Sequence, residues 1–284
     1  GRTMFLIGSE LGALYKGDPL PTPQYQFCQV ASWQQWLQSQ AIYKHQVAYW
    51  AKQLHGLTPL QLPKDNTGVG SVCVVPVRLP PELAASVRRV AAAEKTSVFG
   101  ALLAAFAAVL GRVASTEEVA IATAYAGRDA PETADMVGYF VNTLILRLRC
   151  TGQAYSELVR DTRTTLLEAF GNMLVPNAVA REAAGAGGAA VNVMMVYNDE
   201  GLPGTDNGSI LDLPGAKVAA HPPSNVSVKF ELVLSLQDDA DGGVSGGIEF
   251  SSATFLPSRI ESLVHQFVEF VQAAASQPDR PTSQ

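Results

Sequence analysis

Apolar residues fall along this chain in two alternating patterns, helical spacing and short continuous runs, and together they predict a mixed α and β protein. Met4, Phe5, Leu6, Leu11, Leu14 and Tyr15 give an amphipathic helix over residues 2–16, stopped by Gly17-Asp18-Pro19. No capping residue precedes it, so the chain reads as entering inside an element. A Pro-rich connector, 19–24, leads to 32–57, where Trp33, Trp36, Leu37, Tyr43, Val47, Tyr49, Trp50 and Leu54 predict two helical pieces. Periodicity then breaks at Leu62-Pro63-Lys64-Asp65-Asn66-Thr67-Gly68, which reads as a linker. Residues 1–66 and 67–284 are therefore expected to belong to different units.

Beyond the break, 72–79 reads as a strand whose Pro76 places it at a sheet edge. Pro80-Pro81-Glu82 opens a helix to 94, since proline is tolerated in a first turn. Thr96 and Ser97 offer a cap for a helix over 98–112 that is apolar almost all round and so belongs in the interior. Strands are predicted at 119–125, 140–149, 191–197, 230–236 and 246–250. Helices are predicted at 155–172, with Leu158, Val159, Thr162, Leu166, Ala169 and Phe170 on one face, and at 257–275, with Ile260, Leu263, Val264, Phe267, Phe270 and Val271 at core spacing. Residues 185–188 and 201–215 read as loops, and no internal repeat is seen. The fold class is α/β or α+β, with helices packed on one or two sheets.

Composition narrows the function classes. At 284 residues the chain can bury substantial cores. It is 47% hydrophobic and 16% charged, an ordinary globular balance. A net charge of −6 with no basic run argues against nucleic acid and anionic membrane as partners. Arg147 and Arg149 alternate with apolar residues, as on one face of a strand. Cys28, Cys73 and Cys150 are odd in number and far apart, and no CxxC, His-rich cluster or HExxH occurs, so no metal site is expected. Scattered thiols suit a reducing cytoplasm. The longest apolar run, 98–113, is interrupted by Gly100, Gly111 and Arg112 and is too short to span a bilayer. The first residues lack the basic flank and apolar core of a signal peptide.

The most informative stretch is Met136-Val137-Gly138-Tyr139-Phe140-Val141-Asn142-Thr143. Gly138 permits close backbone approach or a positive φ. Asn142 is a polar amide in an apolar strand and needs partners where buried; a satisfied structural role is the commoner outcome. The stretch resembles the Gly-x-Phe-Val-Asn-Thr motif of condensation domains of nonribosomal peptide synthetases. Other pieces agree in order and spacing over essentially the whole chain. Tyr49-Trp50 with Leu60-x-Leu62-Pro63-x-Asp65 is similar to the family's Tyr-Trp…Leu-Pro-x-Asp stretch. Residues 121–128 look like its strand and turn ending in Ala-Gly-Arg, here at Arg128. Lys229-Phe230-Glu231-Leu232 resembles Lys-Phe-Asp-Leu, with Glu in place of Asp, and Gln277-Pro278-Asp279-Arg280-Pro281 matches the C-terminal end.

The resemblance implies a two-lobed fold like chloramphenicol acetyltransferase, with a tunnel between the lobes and the N-terminal lobe incomplete here. It implies peptide-bond formation in secondary-metabolite and antibiotic biosynthesis. Upstream and downstream carrier proteins would deliver thioesters on phosphopantetheine arms, with no cofactor bound by the domain itself. Glu10-Leu11-Gly12-Ala13-Leu14-Tyr15 is similar to the helix after the family's His-His-x-x-x-Asp-Gly motif. Gly1 would then be the motif's final glycine, with the catalytic histidine upstream of it. Arg128, Gly138, Asn142 and Lys229 would shape the region between lobes or the tunnel. An apolar surface carrying Phe5, Leu6 and Trp33 would meet the N-terminal half of the domain. His45, His55 and His265 fall on predicted helices and His221 in a loop, and none fits a catalytic motif.

Subtype is partly legible. The Glu-Gly-His-Gly-Arg-Glu stretch of epimerization domains does not occur. Where the family usually has Arg-Asp-x-Ser-x-x-Pro-Leu, this chain has Val175-Pro176-Asn177 followed by Arg181-Glu182-Ala183-Ala184-Gly185-Ala186-Gly187-Gly188. That departure fits either a degenerate member or loop variation. Three functions follow: an amide-forming condensation domain, a non-catalytic platform for a carrier or tailoring enzyme, and a free-standing acyltransferase.

Overall fold

The computed structural model describes residues 2–65, 68, 70–150, 153–185, 191–198, 211, 213–218 and 229–281. Helices α1 (Arg2–Lys16), α2 (Phe27–Leu37) and α3 (Ala41–Leu54) come first, then β1 (Val72–Leu79), α4 (Pro81–Ala93), α5 (Val98–Ala114) and β2 (Glu118–Tyr125). After a short 3-10 turn follow β3 (Asn142–Arg149), α6 (Tyr155–Gly171), α7 (Asn177–Ala183), β4 (Val193–Asn198), β5 (Leu232–Asp238), β6 (Val244–Ser251) and α8 (Pro257–Ser276). The mixed α and β class read from periodicity is the one observed.

The strands form a mixed six-stranded sheet in the order β1-β6-β5-β4-β2-β3. β2, β4 and β5 run parallel, and the outer pairs are antiparallel. β1 lies at one edge, where Pro76 removes no ladder bond that a second neighbour would need. Against one face pack α4, α5, α6 and α8. α5 is the core: every residue from Gly100 to Gly111 is buried, and Ser97 caps it by accepting the Gly100 N–H at 3.2 Å. A side chain at Gly111 would come within 2.3 Å of the Cys150 sulfur, so the glycine lets the end of β3 close on the helix. Among the described residues no single helix is long and apolar enough to cross a membrane.

α3 packs on α7 and the outer edge of β3. Trp50, Leu54, Leu57, Leu60 and Leu62 are buried in the same apolar cluster as the sheet and its helices. The segment expected as a linker is thus a strap across the ends of the parallel strands. Leu60 exchanges hydrogen bonds with the Asn192 amide, at 3.0 Å and 2.8 Å, and Lys64 pairs with Glu231. Asp65 receives Arg259 on both oxygens, at 2.8 Å and 2.6 Å, and caps α8 by accepting the Leu256 N–H.

Asp65 sets a pH limit. The Arg259 hydrogen bond first, then that of Leu256, lower its pKa to about 2. A carboxyl whose folded pKa lies below its unfolded value of about 3.9 stabilises fully above the latter and loses that contribution as pH falls through the former. The stability advantage of the wild type over Asp65→Asn is therefore expected to be constant near neutrality and to vanish between about pH 4 and pH 2. Denaturation midpoints of both proteins across that range test it; a difference independent of pH would refute it.

Some boundaries differ from the sequence reading. α2 starts at Phe27 rather than 32, because the Gln29 side chain reaches back to accept the Gln26 N–H at 2.7 Å, without any of the usual cap residues. β3 starts at Asn142 rather than 140, since Tyr125 opposite Asn142 is the last paired residue of β2. α7 was not anticipated. Leu6 is buried within this chain, so of the expected apolar trio only Trp33 is exposed, with Phe5 half-buried.

Candidate functional site

The connection from β2 to β3 folds back on the first turn of α1. Gly127, at φ 68°, turns it where an added side chain would come within 2.3 Å of the Phe140 carbonyl oxygen. Arg128 then spans the loop. Its guanidinium donates to the carbonyls of Thr133 and Met136 (2.9 Å to the latter) and to the Thr3 hydroxyl at 2.9 Å, and lies 4.2 Å from the centre of the Phe140 ring. Burial, then the nearby Arg2, lowers the Arg128 pKa. The group remains a cation, because guanidinium starts so high.

Thr3 completes the junction by donating to the Gly138 carbonyl and accepting its N–H at 3.4 Å. Arg2 adds bonds to the Ala134 carbonyl at 3.2 Å and to Asp135 at 2.7 Å. Of the two readings of Gly138, close approach is the one observed: a Cβ there would lie 2.3 Å from the Phe27 ring. Phe27 in turn meets Phe140 edge-to-face, centroids 5.1 Å apart.

Asn142 is fully satisfied. Its amide donates to the carbonyls of Met173 (3.1 Å) and Val175 (2.8 Å), while its oxygen accepts the N–H groups of Thr143 (2.9 Å) and Asn177 (3.0 Å). α3 grips the same 171–177 turn from the other side. Gln46 donates to Gly171 at 2.9 Å and accepts from Leu174 at 3.0 Å, and the Trp50 indole donates to Asn172 at 2.7 Å.

Arg128, Gly138 and Asn142 thus share the end of the sheet where β2 finishes. Lys229 does not join them. It is exposed just ahead of β5, whose Leu232 pairs with Val193 at the start of β4, and so lies at the opposite end. In its motif the placed side chain is Glu231, held by Lys64 and by Asn192 at 2.9 Å. A cleft of about 300 Å³ opens near that end, lined by Leu62, Leu232, Phe255 and Leu263, with Asp65 and Arg259 already paired to each other. Gly1 and His221 lie outside the described residues. His45, His55 and His265 are exposed, the last beside Glu269 at 3.1 Å. Among the described residues no cluster of His, Cys, Asp or Glu is placed to hold a metal.

Order of motifs, sheet topology and this junction can be set beside known proteins. The condensation-domain family model matches residues 1–284. The chain belongs to that family. Surfactin synthase subunit 1 of Bacillus subtilis (strain 168) is 28% identical over 297 residues, which is 100% of this chain and 8% of that protein. Among solved structures, the X-domain from teicoplanin biosynthesis matches with TM-score 0.82 at 19% identity, covering 99% of this chain and 67% of that one. The first condensation domain of the CDA synthetase matches with TM-score 0.72 at 18% identity, covering 99% and 62%. The fold is that of these two structures, and the chain spans only a small part of its synthetase relatives.

The sequence reading missed Thr3, Phe27, Gln46 and Asn177 as site residues. Gln46 did carry a signal. It is a polar amide one helical turn before Trp50 on the face that packs inward, the same anomaly that singled out Asn142.

Proposed function

We propose that this chain supplies the C-terminal part of an amide-forming condensation domain. The nitrogen of a carrier-bound acceptor amine attacks the carbonyl of a carrier-bound donor thioester. A C–N bond forms, the C–S bond breaks, and the donor's pantetheine thiol leaves with the amine's proton. The observation that carries the reading is the junction at Thr3. Arg128 and Gly138, which resemble the family's second-lobe motifs, meet the first turn of the helix that resembles the one following the histidine motif, and Asn142 lies at the same end of the sheet.

In this reading residues 1–66 complete one lobe and 67–284 form the other, with the histidine contributed from ahead of Arg2. Asn142 has no useful pKa and Arg128 stays charged, so both shape the passage and neither moves a proton. A neutral amine needs little activation, and holding both thioesters in register supplies much of the rate as effective molarity. Backbone donors near the motif glycine would help the tetrahedral oxyanion. Phosphopantetheine comes on the two carrier proteins and is not held by this chain. The setting is cytoplasmic, with the N-terminal half of the domain as the standing partner.

The test is condensation between two loaded carriers, read by mass spectrometry of the product, using residues 1–284 alone and the complete domain. The complete domain is expected to give dipeptidyl product and residues 1–284 none. Product from residues 1–284 at a comparable rate would overturn the assignment of Gly1. An inactive complete domain that still binds carriers would support the platform reading instead.

A further inference from the structure

Residues 136–142 divide into two rows. Met136, Gly138, Phe140 and Asn142 point inward, and each is fixed. Met136 is buried with its carbonyl on Arg128, Gly138 abuts Phe27, Phe140 lies between Arg128 and Phe27, and Asn142 makes its four hydrogen bonds. Val137, Tyr139 and Val141 alternate with them and are 41%, 79% and 44% exposed. Tyr139 is the most exposed of the large apolar side chains among the described residues.

A single exposed apolar residue needs no explanation. This row differs in being presented by a backbone immobilised from beneath, as positioning residues of a binding site are. It also flanks the residue that Thr3 grips through both backbone groups, so it borders the first turn of α1.

We propose that Val137, Tyr139 and Val141 are specificity-determining residues for amide formation, contacting the side chain of an aminoacyl thioester on a carrier's phosphopantetheine arm. The proposal rests on the condensation reading above. Two branched aliphatic groups and a phenol make an uncharged wall with one polar tip, suited to an uncharged aminoacyl side chain. Such a wall sorts aminoacyl groups by size.

The experiment uses the complete domain with carriers bearing alanyl or phenylalanyl groups, donor and acceptor varied in turn. Tyr139→Ala is expected to change the alanyl-to-phenylalanyl ratio of kcat/KM by about tenfold or more on one side, which identifies that side. The melting temperature should stay put, because the ring is unpacked. An unchanged ratio on both sides overturns the proposal, whatever happens to the absolute rate. If the wild-type domain makes no amide, the condensation reading is what fails. The contact is then read by maleimide labelling at position 139 in Tyr139→Cys, with the exposed Cys28 removed as Cys28→Ser. Slower labelling with aminoacyl-loaded than with unloaded carrier supports the contact. Equal labelling overturns it, including the case where position 139 is covered before any carrier is added.

Discussion

Replacing Trp50 by Ala is expected to lower folding stability by about 4 kcal/mol, within the roughly 3–5 kcal/mol range for truncating a buried aromatic side chain. Trp50 is 2% exposed, within the apolar cluster that joins α3 to the sheet. Its loss opens a cavity and orphans the Asn172 carbonyl, which the indole meets at 2.7 Å. Trp50→Phe separates these effects, since it keeps most of the volume and loses only the donor. That variant is expected to lose about 1–2 kcal/mol. Because whole domains are stable by only about 5–15 kcal/mol, the alanine variant should show a clear fall in denaturation midpoint. Urea unfolding of the complete domain measures it. A loss below about 1 kcal/mol would mean that α3 contributes little to this core.

Asn142→Ala is the second large effect, about 3 kcal/mol, with a fall in kcat beyond what unfolding explains. Four groups lose their partner at once: the carbonyls of Met173 and Val175 and the N–H groups of Thr143 and Asn177. Each part-buried orphan costs on the order of 1 kcal/mol, less where water reaches it. Asn142→Asp should be nearly as damaging, because a carboxylate accepts both N–H groups but has nothing to donate to the two carbonyls. The pH–rate profile of either variant is expected to keep its shape, as no proton passes through this side chain. Full solubility with unchanged turnover would refute the structural role, and a displaced pH optimum would assign a different one.

Periodicity found the elements because most bury one face and α5 buries all of its faces, and the boundaries drifted where side chains rather than propensity decide the ends. Gln26 with Gln29 starts α2 in place of Ser, Thr or Asp, and Tyr125 rather than any local signal ends the pairing of β3. α7 is a short Ala-rich segment whose helicity comes from packing on α3, which no local pattern records. Within the site, Asn142 and Gly138 stood out because each breaks the pattern around it. Their partners did not, since Thr3 lies 135 residues from Gly138, and Met173 and Val175 lie 31 and 33 from Asn142. Lys229 shows the converse: a recognisable motif residue lies at the far end of the sheet from Asn142, because motif adjacency says nothing of strand direction.

The strap has a consequence for synthesis on the ribosome. Its closing contact joins Asp65 to Arg259, 194 residues later in the chain. At roughly 5–20 residues per second, the strap waits about 10–40 s for its anchor to be translated. For most of that interval, until β4 and β5 emerge, Leu57, Leu60 and Leu62 lack the strands they finally cover. Nascent chains should therefore be most prone to chaperone capture and aggregation after α3 emerges and before α8 does.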